Sequence, residues 1–313
     1  MNASELKELL RGGALNCRTD LYEDTVRQTE RILAAIDTFE SLYGKDRELF
    51  VLSVPGRSEI SGNHTDHNRG CVLAGAINRD IIAIVSPNEG DTVRLKSEGY
   101  EESVVDIADA TEPAKFRKFT SRALIGGMIG GFIKRGLKVG GFDAYTNTEV
   151  LRGSGLSSSA AFEVMIGNIL NHLFNGGEVD NQDIAIMARE SENVYFGKPC
   201  GLMDQMACAV GGFVFIDFGT EADGVYNQTV GDRPYVRPVE FSLKERGYAL
   251  CIVNTGGNHA NLNDDYASVP SEMHALAREL GREVLRGASE SEIVSAIPAL
   301  REKLGDRDRK SVV

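Results

Sequence analysis

Three stretches of the chain gather residue types that could do chemistry on a phosphate and a polyol. The first is a glycine- and serine-rich run, Gly153-Ser154-Gly155-Leu156-Ser157-Ser158-Ser159. Consecutive backbone N–H groups in such a loop form a concave nest for an anion, and the free N–H groups of a following helix add to it. Serine hydroxyls there can donate to oxygen or bind Mg2+. The same residues also suit a serine-capped helix after a turn, and the loop alone supports both readings equally. It fits neither common phosphate motif. Gly197-Lys198 runs into Pro199 instead of completing a Walker pattern, and Ser158 stands where a dinucleotide fingerprint carries its third glycine.

The second stretch runs from Pro55 to Asn68 and packs Arg57, Glu59, Asn63, His64, Asp66, His67 and Asn68 directly after an apolar run. Its Arg, Asn, His, Asp and Asn residues are the inventory for reading sugar hydroxyls by direct hydrogen bonds. His64, His67 and a carboxylate could instead hold a metal, but two histidines with one carboxylate in a loop make a thin metal signature. A purely structural polar loop is as well supported as polyol recognition on these residues alone. The third stretch is Glu192 to Gln205, with a tight Gly197-Lys198-Pro199 turn and then Cys-Gly-x-x-Asp-Gln. A carboxylate such as Asp204 can accept a hydroxyl proton, and Glu192 could hold a metal. Asp204 also suits the plain role of an acidic residue at a helix start.

The elements that must carry these residues can be read from periodicity. A helical spacing of Val26, Leu33, Ile36, Phe39 and Leu42 predicts a helix over 20–43 with Gly44 as its stop. Apolar runs at 49–54, 80–86, 142–146, 213–218 and 248–253 read as strands. Residues 115–135 read as a helix despite Gly126, Gly127, Gly130 and Gly131, which close helix packing would explain. The glycine-serine loop leads into an amphipathic helix over 160–174. Asn181 is expected to cap a second helix reaching about residue 195, and a further helix is expected over 271–285. Strands and helices alternate without a barrel's regular beat, so the expected class is α+β with two domains.

Composition fits a soluble globular chain of 313 residues, 42% hydrophobic and 26% charged. The net charge of −12, with no basic block, argues against gripping nucleic acid or anionic lipid through the overall field. Any bound anion needs a local device. Five scattered cysteines without a C-x-x-C suit a reducing compartment, and no signal peptide or membrane span is visible, so the cytoplasm is the expected location.

In this order and over nearly the whole chain, the three stretches together resemble the galactokinase branch of the GHMP small-molecule kinases. Residues 55–68 look like that branch's sugar signature, Gly153 to Ala161 matches the GHMP phosphate loop, and Gly197 to Gln205 is similar to the segment carrying its catalytic aspartate. The run Asn254 to His259, continuing to Asp264-Asp265-Tyr266, is similar to a further galactokinase segment. The resemblance implies a two-domain GHMP kinase fold. A ribosomal protein S5 domain 2-like domain would occupy 1–215, and an incomplete ferredoxin-like domain 216–313. It implies ATP-dependent phosphorylation of galactose at the C1 hydroxyl, with Mg2+. Asp204 would take or guide the hydroxyl proton, with Arg57 against it to hold it ionised. Gly153, Ser154, Gly155, Leu156, Ser157, Ser158 and Ser159 would cradle ATP, Ser159 and Glu192 would bind Mg2+, and Asn63, His64, Asp66, Gly201 and Tyr266 would hold the sugar. A monomer with small-molecule partners only, and neither nucleic acid nor membrane, is expected.

The sequence departs from the family pattern at Asn63, where most members have Glu, at His67, where they have Tyr, and at Leu151-Arg152 in the lead into the loop. The family's third glycine-rich motif is not found over 258–313, and the family runs several tens of residues longer, so a truncated second domain is expected. A kinase of a related sugar (N-acetylgalactosamine, arabinose or galacturonate), a non-catalytic sugar and ATP sensor, and an inactive fragment are the alternatives.

Overall fold

The computed structural model describes residues 1–19, 21–62, 64–150, 153, 155–219, 233–253 and 263–304, the side chains of 263–267, 269 and 304 excepted. Among these residues the expected α+β class holds, with eight α-helices and a mixed β-sheet. The chain divides into two compact units. One comprises Met1–Arg57, Ala76–Cys200 and Asp204–Gly211, and the other Ser58–Gly75, Gly201–Met203 and Gly212–Val313.

In the first unit the helices are α1 (Ala3–Arg11), α2 (Thr25–Tyr43), α3 (Ser121–Lys134), α4 (Ser158–Phe174), α5 (Asn181–Glu190) and, from Asp204 on, α6 (Met203–Val210). Its strands are β3 (Thr92–Ser97), β4 (Ser103–Asp106), β5 (Phe142–Thr148), and parts of β1 (Phe50–Ser61) and β2 (Cys71–Pro87). They run in the order β4-β3-β5-β2, with β3 parallel to β5 and the other pairs antiparallel. The apolar run Ile81 to Val85 needs two buried faces, because side chains alternate along a strand. Ile81, Ala83 and Val85 enter a core with Ile125, Ile129 and Ile166 of α3 and α4, whereas Ile82 and Ile84 enter a second core with Leu6, Ile36 and Phe39 of α1 and α2. The register follows suit, pairing Val85 with Ala144 in the first core and Ile84 with Tyr145 in the second.

Several expectations shift in detail. The buried stripe of α2 is Ile32, Ala35, Ile36 and Phe39, and Val26 and Leu42 face solvent. Gly44 does end that helix, in a positive-φ conformation at 93°. The polar stretch after Val54, expected as a loop, continues as β1 to Ser61, followed by a short 3-10 turn over Thr65–Asn68. Pro55 is tolerated there because, among the described strands, β1 pairs with β2 alone and so is an edge. The helix expected from Asn181 is capped instead by Asp180, whose carboxylate accepts from the Gln182 amide at 2.7 Å. It gives way after Glu190 to a π-helical turn, Ser191–Phe196. Each α3 glycine packs against a neighbour, Gly126 on Phe116, Gly131 on Met187, and Gly127 and Gly130 on that turn. A Cβ at Gly127 would meet the Ser191 side chain, and one at Gly130 the Tyr195 hydroxyl and the Ala110 carbonyl.

The second unit contains the first residues of β2, then β6 (Phe213–Asp217), β7 (Tyr235–Val239), α7 (Asn263–Glu279) and α8 (Glu290–Leu304). Cys71 to Gly75 pair with β6, and β6 pairs with β7, both antiparallel. The Arg286 guanidinium holds the buried Asp217 carboxylate, with Nη2 at 3.1 Å from Oδ2. Burial raises that carboxyl, but the hydrogen bonds from Arg286 and Gly219 outweigh it and leave it below the ordinary carboxylate range. Residues 248–253, expected as a strand, form none. Tyr248 and Val253 are 69% and 79% exposed, so the run lacks the buried face that would make its apolar residues a strand.

Candidate active site

The glycine-serine loop carries α4 at its end, so the first N–H groups of that helix have no intrahelical acceptor and point out of it. Gly153, Gly155 and Ser157 take positive φ values of 73°, 76° and 62°. Two of these are glycines, for which that conformation is free. For Ser157 it costs of the order of 1–2 kcal/mol, since its Cβ crowds the following carbonyl. The strained residue aims its hydroxyl at the Asp204 carboxylate, 2.6 Å from Oδ2.

Arg57 completes the clamp from β1. It is 6% exposed, its Nε donates to Asp204 Oδ1 at 2.8 Å, and Nη2 reaches the same oxygen. Nη1 donates to the Gly155 carbonyl at 2.7 Å. One planar guanidinium therefore binds a carboxylate on α6 and the backbone of the glycine-serine loop together. The Arg57 backbone N–H also donates to the Leu156 carbonyl at 3.2 Å, and a side chain at Gly56 would press on that same carbonyl. The continuation of β1 past Pro55 is what brings Arg57 to this spot.

A second cluster lies at the start of α4. The Ser159 hydroxyl donates to Glu192 Oε1 at 3.0 Å, and the Lys198 ammonium lies 3.1 Å from the same oxygen. Glu192 sits on the π-helical turn, which ends at Gly197 with φ 87°, and the turn that follows brings Lys198 back onto it. Burial lowers the Lys198 ammonium, but the Glu192 charge outweighs this and holds it above its ordinary value. The donor set suits Mg2+, which takes hard oxygens, typically one or two carboxylates together with substrate phosphates. A cation is already drawn to Glu192 Oε1. Among the described residues no group of three or more His, Cys, Asp or Glu side chains could hold a metal unaided.

Behind Glu192 stands a pair that the sequence did not single out as functional. Gln205 donates to Glu192 Oε2 at 2.8 Å and to Glu163 Oε2 at 3.3 Å. Burial, and next the charge of Glu192, push the fully buried Glu163 carboxyl well above the ordinary carboxylate range. Glu163 falls within an apolar helical pattern, and only its charge at a core position marked it. Gln205 was visible only as the end of the Cys-Gly-x-x-Asp-Gln run.

Within the second unit, Asp66 Oδ2 accepts from the backbone N–H groups of Leu202 and Met203 at 3.1 and 3.3 Å, while Oδ1 accepts from His67 at 3.1 Å. Gly201 packs on Asp66 so closely that any Cβ would enter the carboxylate. His64 has a left-handed backbone, φ 53°, and its N–H donates to Glu59 Oε1 at 3.0 Å. Glu59 was noted in the sequence only as one of the polar residues in its stretch. Asn63 and Ser154 lie outside the described residues, as does the side chain of Tyr266, whose backbone belongs to α7.

Comparison with known proteins finds likenesses over the segments that carry these residues. The model of the GHMP kinases N terminal domain matches residues 123–212, and the galactokinase galactose-binding signature matches residues 37–87. A galactokinase of Streptomyces coelicolor is 29% identical over 276 residues, covering 87% of this chain and 66% of that protein. One from Pyrococcus furiosus is 28% identical over 250 residues, covering 80% and 65%. The chain thus spans just under two thirds of the length of these relatives. Among solved structures, Lactococcus lactis galactokinase complexed with galactose superposes with a TM-score of 0.68 at 22% identity, covering 90% of this chain and 70% of that one. Methanococcus jannaschii mevalonate kinase superposes with a TM-score of 0.50 at 14% identity, covering 79% and 75%. These likenesses show the fold. No helix among the described residues is long and apolar enough to cross a membrane.

Proposed function

We propose that the chain is a GHMP kinase, as its match to the GHMP kinases N terminal domain over residues 123–212 supports, and that it transfers the γ-phosphoryl group of ATP to the C1 hydroxyl of galactose. The observation that carries this reading is the clamp on Asp204, held at once by the Arg57 guanidinium and by the hydroxyl of phosphate-loop residue Ser157. A carboxylate in that position can receive a hydroxyl proton as the new P–O bond forms. The guanidinium keeps charge neutralised beside it through the reaction. Phosphoryl transfer passes through a loose transition state, so placing acceptor and donor supplies much of the rate. Positioning is what the loop and α4 N-terminus offer, with Gly153, Gly155, Leu156, Ser157 and Ser158 presenting backbone N–H groups to ATP phosphates.

Mg2+ would be held by Ser159 and Glu192, and when bound it would neutralise charge on the β- and γ-phosphate oxygens. His64, Asp66 and Gly201, with Asn63 and Tyr266, are read as the sugar-holding residues. Asp66 already accepts three backbone hydrogen bonds, yet a carboxylate has lone pairs enough to take a sugar hydroxyl as well. A monomer in the cytoplasm belongs to the same reading, as does a domain division near residue 215. The galactose-binding signature over 37–87 supports this sugar over its relatives.

ADP release measured with MgATP and galactose tests the proposal. Galactose-dependent turnover is expected, falling by about 100-fold or more in Asp204→Ala, in line with the loss of a general base. Turnover that ignores galactose, or an Asp204→Ala variant as fast as the parent, contradicts it.

A further inference from the structure

Ser159 and Glu163 lie one turn apart on α4 and share a face. Glu163 is fully buried, and its Oε1 has no hydrogen-bond partner among the described residues. Gln205, equally buried, spends its amide N–H groups on Glu163 Oε2 and Glu192 Oε2, and its own Oε1 is also without a partner among those residues. Buried polar atoms left unpaired cost free energy. If residues 163 and 205 only filled the space between α4 and α6, leucine and methionine would do so without that cost. What the polar pair achieves is orientation. With Oε2 tied back to Gln205, Glu192 turns its other oxygen, Oε1, to Ser159 and Lys198. Glu163 Oε2 in turn accepts from the same amide nitrogen, which holds that nitrogen between the two carboxyl groups.

We propose that Glu163 and Gln205 are positioning residues that aim the Glu192 carboxylate at the divalent cation bound with the nucleotide. The inference rests on Glu192 being a metal ligand, as in the function proposed above, but not on galactose being the acceptor. Outer-sphere groups of this kind typically change metal affinity by about 10- to 100-fold.

The test uses the full chain with Mn2+ as the probe, titrated by electron paramagnetic resonance in the presence of a non-hydrolysable ATP analogue. Glu163→Leu and Gln205→Met are each expected to weaken Mn2+ binding about 10-fold or more. Each single change leaves a buried partner unpaired and is expected to lower the thermal midpoint, whereas the double variant Glu163→Leu/Gln205→Met, which removes the pair together, should match or exceed the parent's. Glu163→Gln keeps an oxygen acceptor for the Gln205 amide and is expected to restore Mn2+ binding to within about twofold of the parent. Parent-like affinity in both Glu163→Leu and Gln205→Met overturns the proposal, and so does a loss that Glu163→Gln fails to restore. Should Glu163→Leu not fold, Gln205→Met, which removes only the amide at similar length, decides the matter by itself. A parent that binds Mn2+ and nucleotide but does not phosphorylate galactose sinks the function proposed above and leaves this one standing. A parent that binds no Mn2+ with nucleotide overturns both.

Discussion

Asp204 and Ser157 are the residues where stability and chemistry pull in different directions. Ser157 holds a left-handed backbone that a glycine would hold without strain, and in return its hydroxyl meets the Asp204 carboxylate. Ser157→Gly is therefore expected to be as stable as the parent or up to about 1 kcal/mol more stable. It is also expected to be slower in galactose-dependent ADP release. Chemical denaturation and turnover on the same preparation check both halves. A variant that is both less stable and fully active would contradict the reading of that hydroxyl. Most of the residues that the structure gathers around Asp204 and Glu192 were legible in the sequence, because glycine, serine, arginine and aspartate at fixed offsets narrow the chemistry. Glu163 and Gln205 were not, since a single buried carboxylate in an apolar helix has no spacing to announce it. Glu59 escaped notice as part of the site because its role depends on the backbone folding His64 onto it.

At the scale of elements, position was harder to read than type. The strand after Leu49 was clear, but its continuation through Arg57 was not, because a polar stretch containing proline and glycine normally ends a strand. Pairing with the 17-residue β2 overrides that local signal. Conversely, 248–253 has a strand-like composition and no strand, since β-propensity reflects a fit to a half-buried surface rather than a backbone preference. The α3 glycines were read correctly as packing residues. Between strands, Asp143 of β5 is the tie that composition does not reveal. It is buried, accepts from Arg94 of β3 at 2.6 and 2.8 Å, and accepts from Arg47 and Asn88 as well. Burial raises its carboxyl, but the hydrogen bonds from Arg94 and Arg47 outweigh it and hold it below the ordinary carboxylate range. A depressed carboxyl stabilises the fold above its unfolded pKa, near about 4, and that contribution is lost as pH falls through the folded value. Asp143→Asn is expected to lower stability at neutral pH by about 2 kcal/mol, a loss typical of hydrogen bonds to a charged group. The gap should close as pH drops below about 4. Thermal melts of both proteins across that range check it, and a gap that stays constant in acid would contradict it.

For the whole molecule, the net charge of −12 sets a problem that the site answers locally. An acidic protein repels a polyphosphate at long range, so under the proposed function the affinity for ATP would come from the loop, the α4 N-terminus and Mg2+. Raising ionic strength from about 0.02 to 0.2 M screens that repulsion. The KM for MgATP is accordingly expected to stay level or fall, and a steep rise would contradict this by pointing to a basic surface as the source of affinity. The α+β class and the GHMP architecture were legible because the motifs occur in family order, while the finer arrangement waited on long-range pairing. The central claim is that Asp204, clamped between Arg57 and the phosphate loop, directs phosphoryl transfer to the C1 hydroxyl of galactose. It is tested most directly by phosphorus NMR of the product made from MgATP and galactose labelled with carbon-13 at C1. The account expects a new phosphate monoester whose signal is split by the labelled carbon, formed by the parent and nearly absent with Asp204→Ala. An unsplit product signal, no product from the parent, or equal product from Asp204→Ala would contradict it.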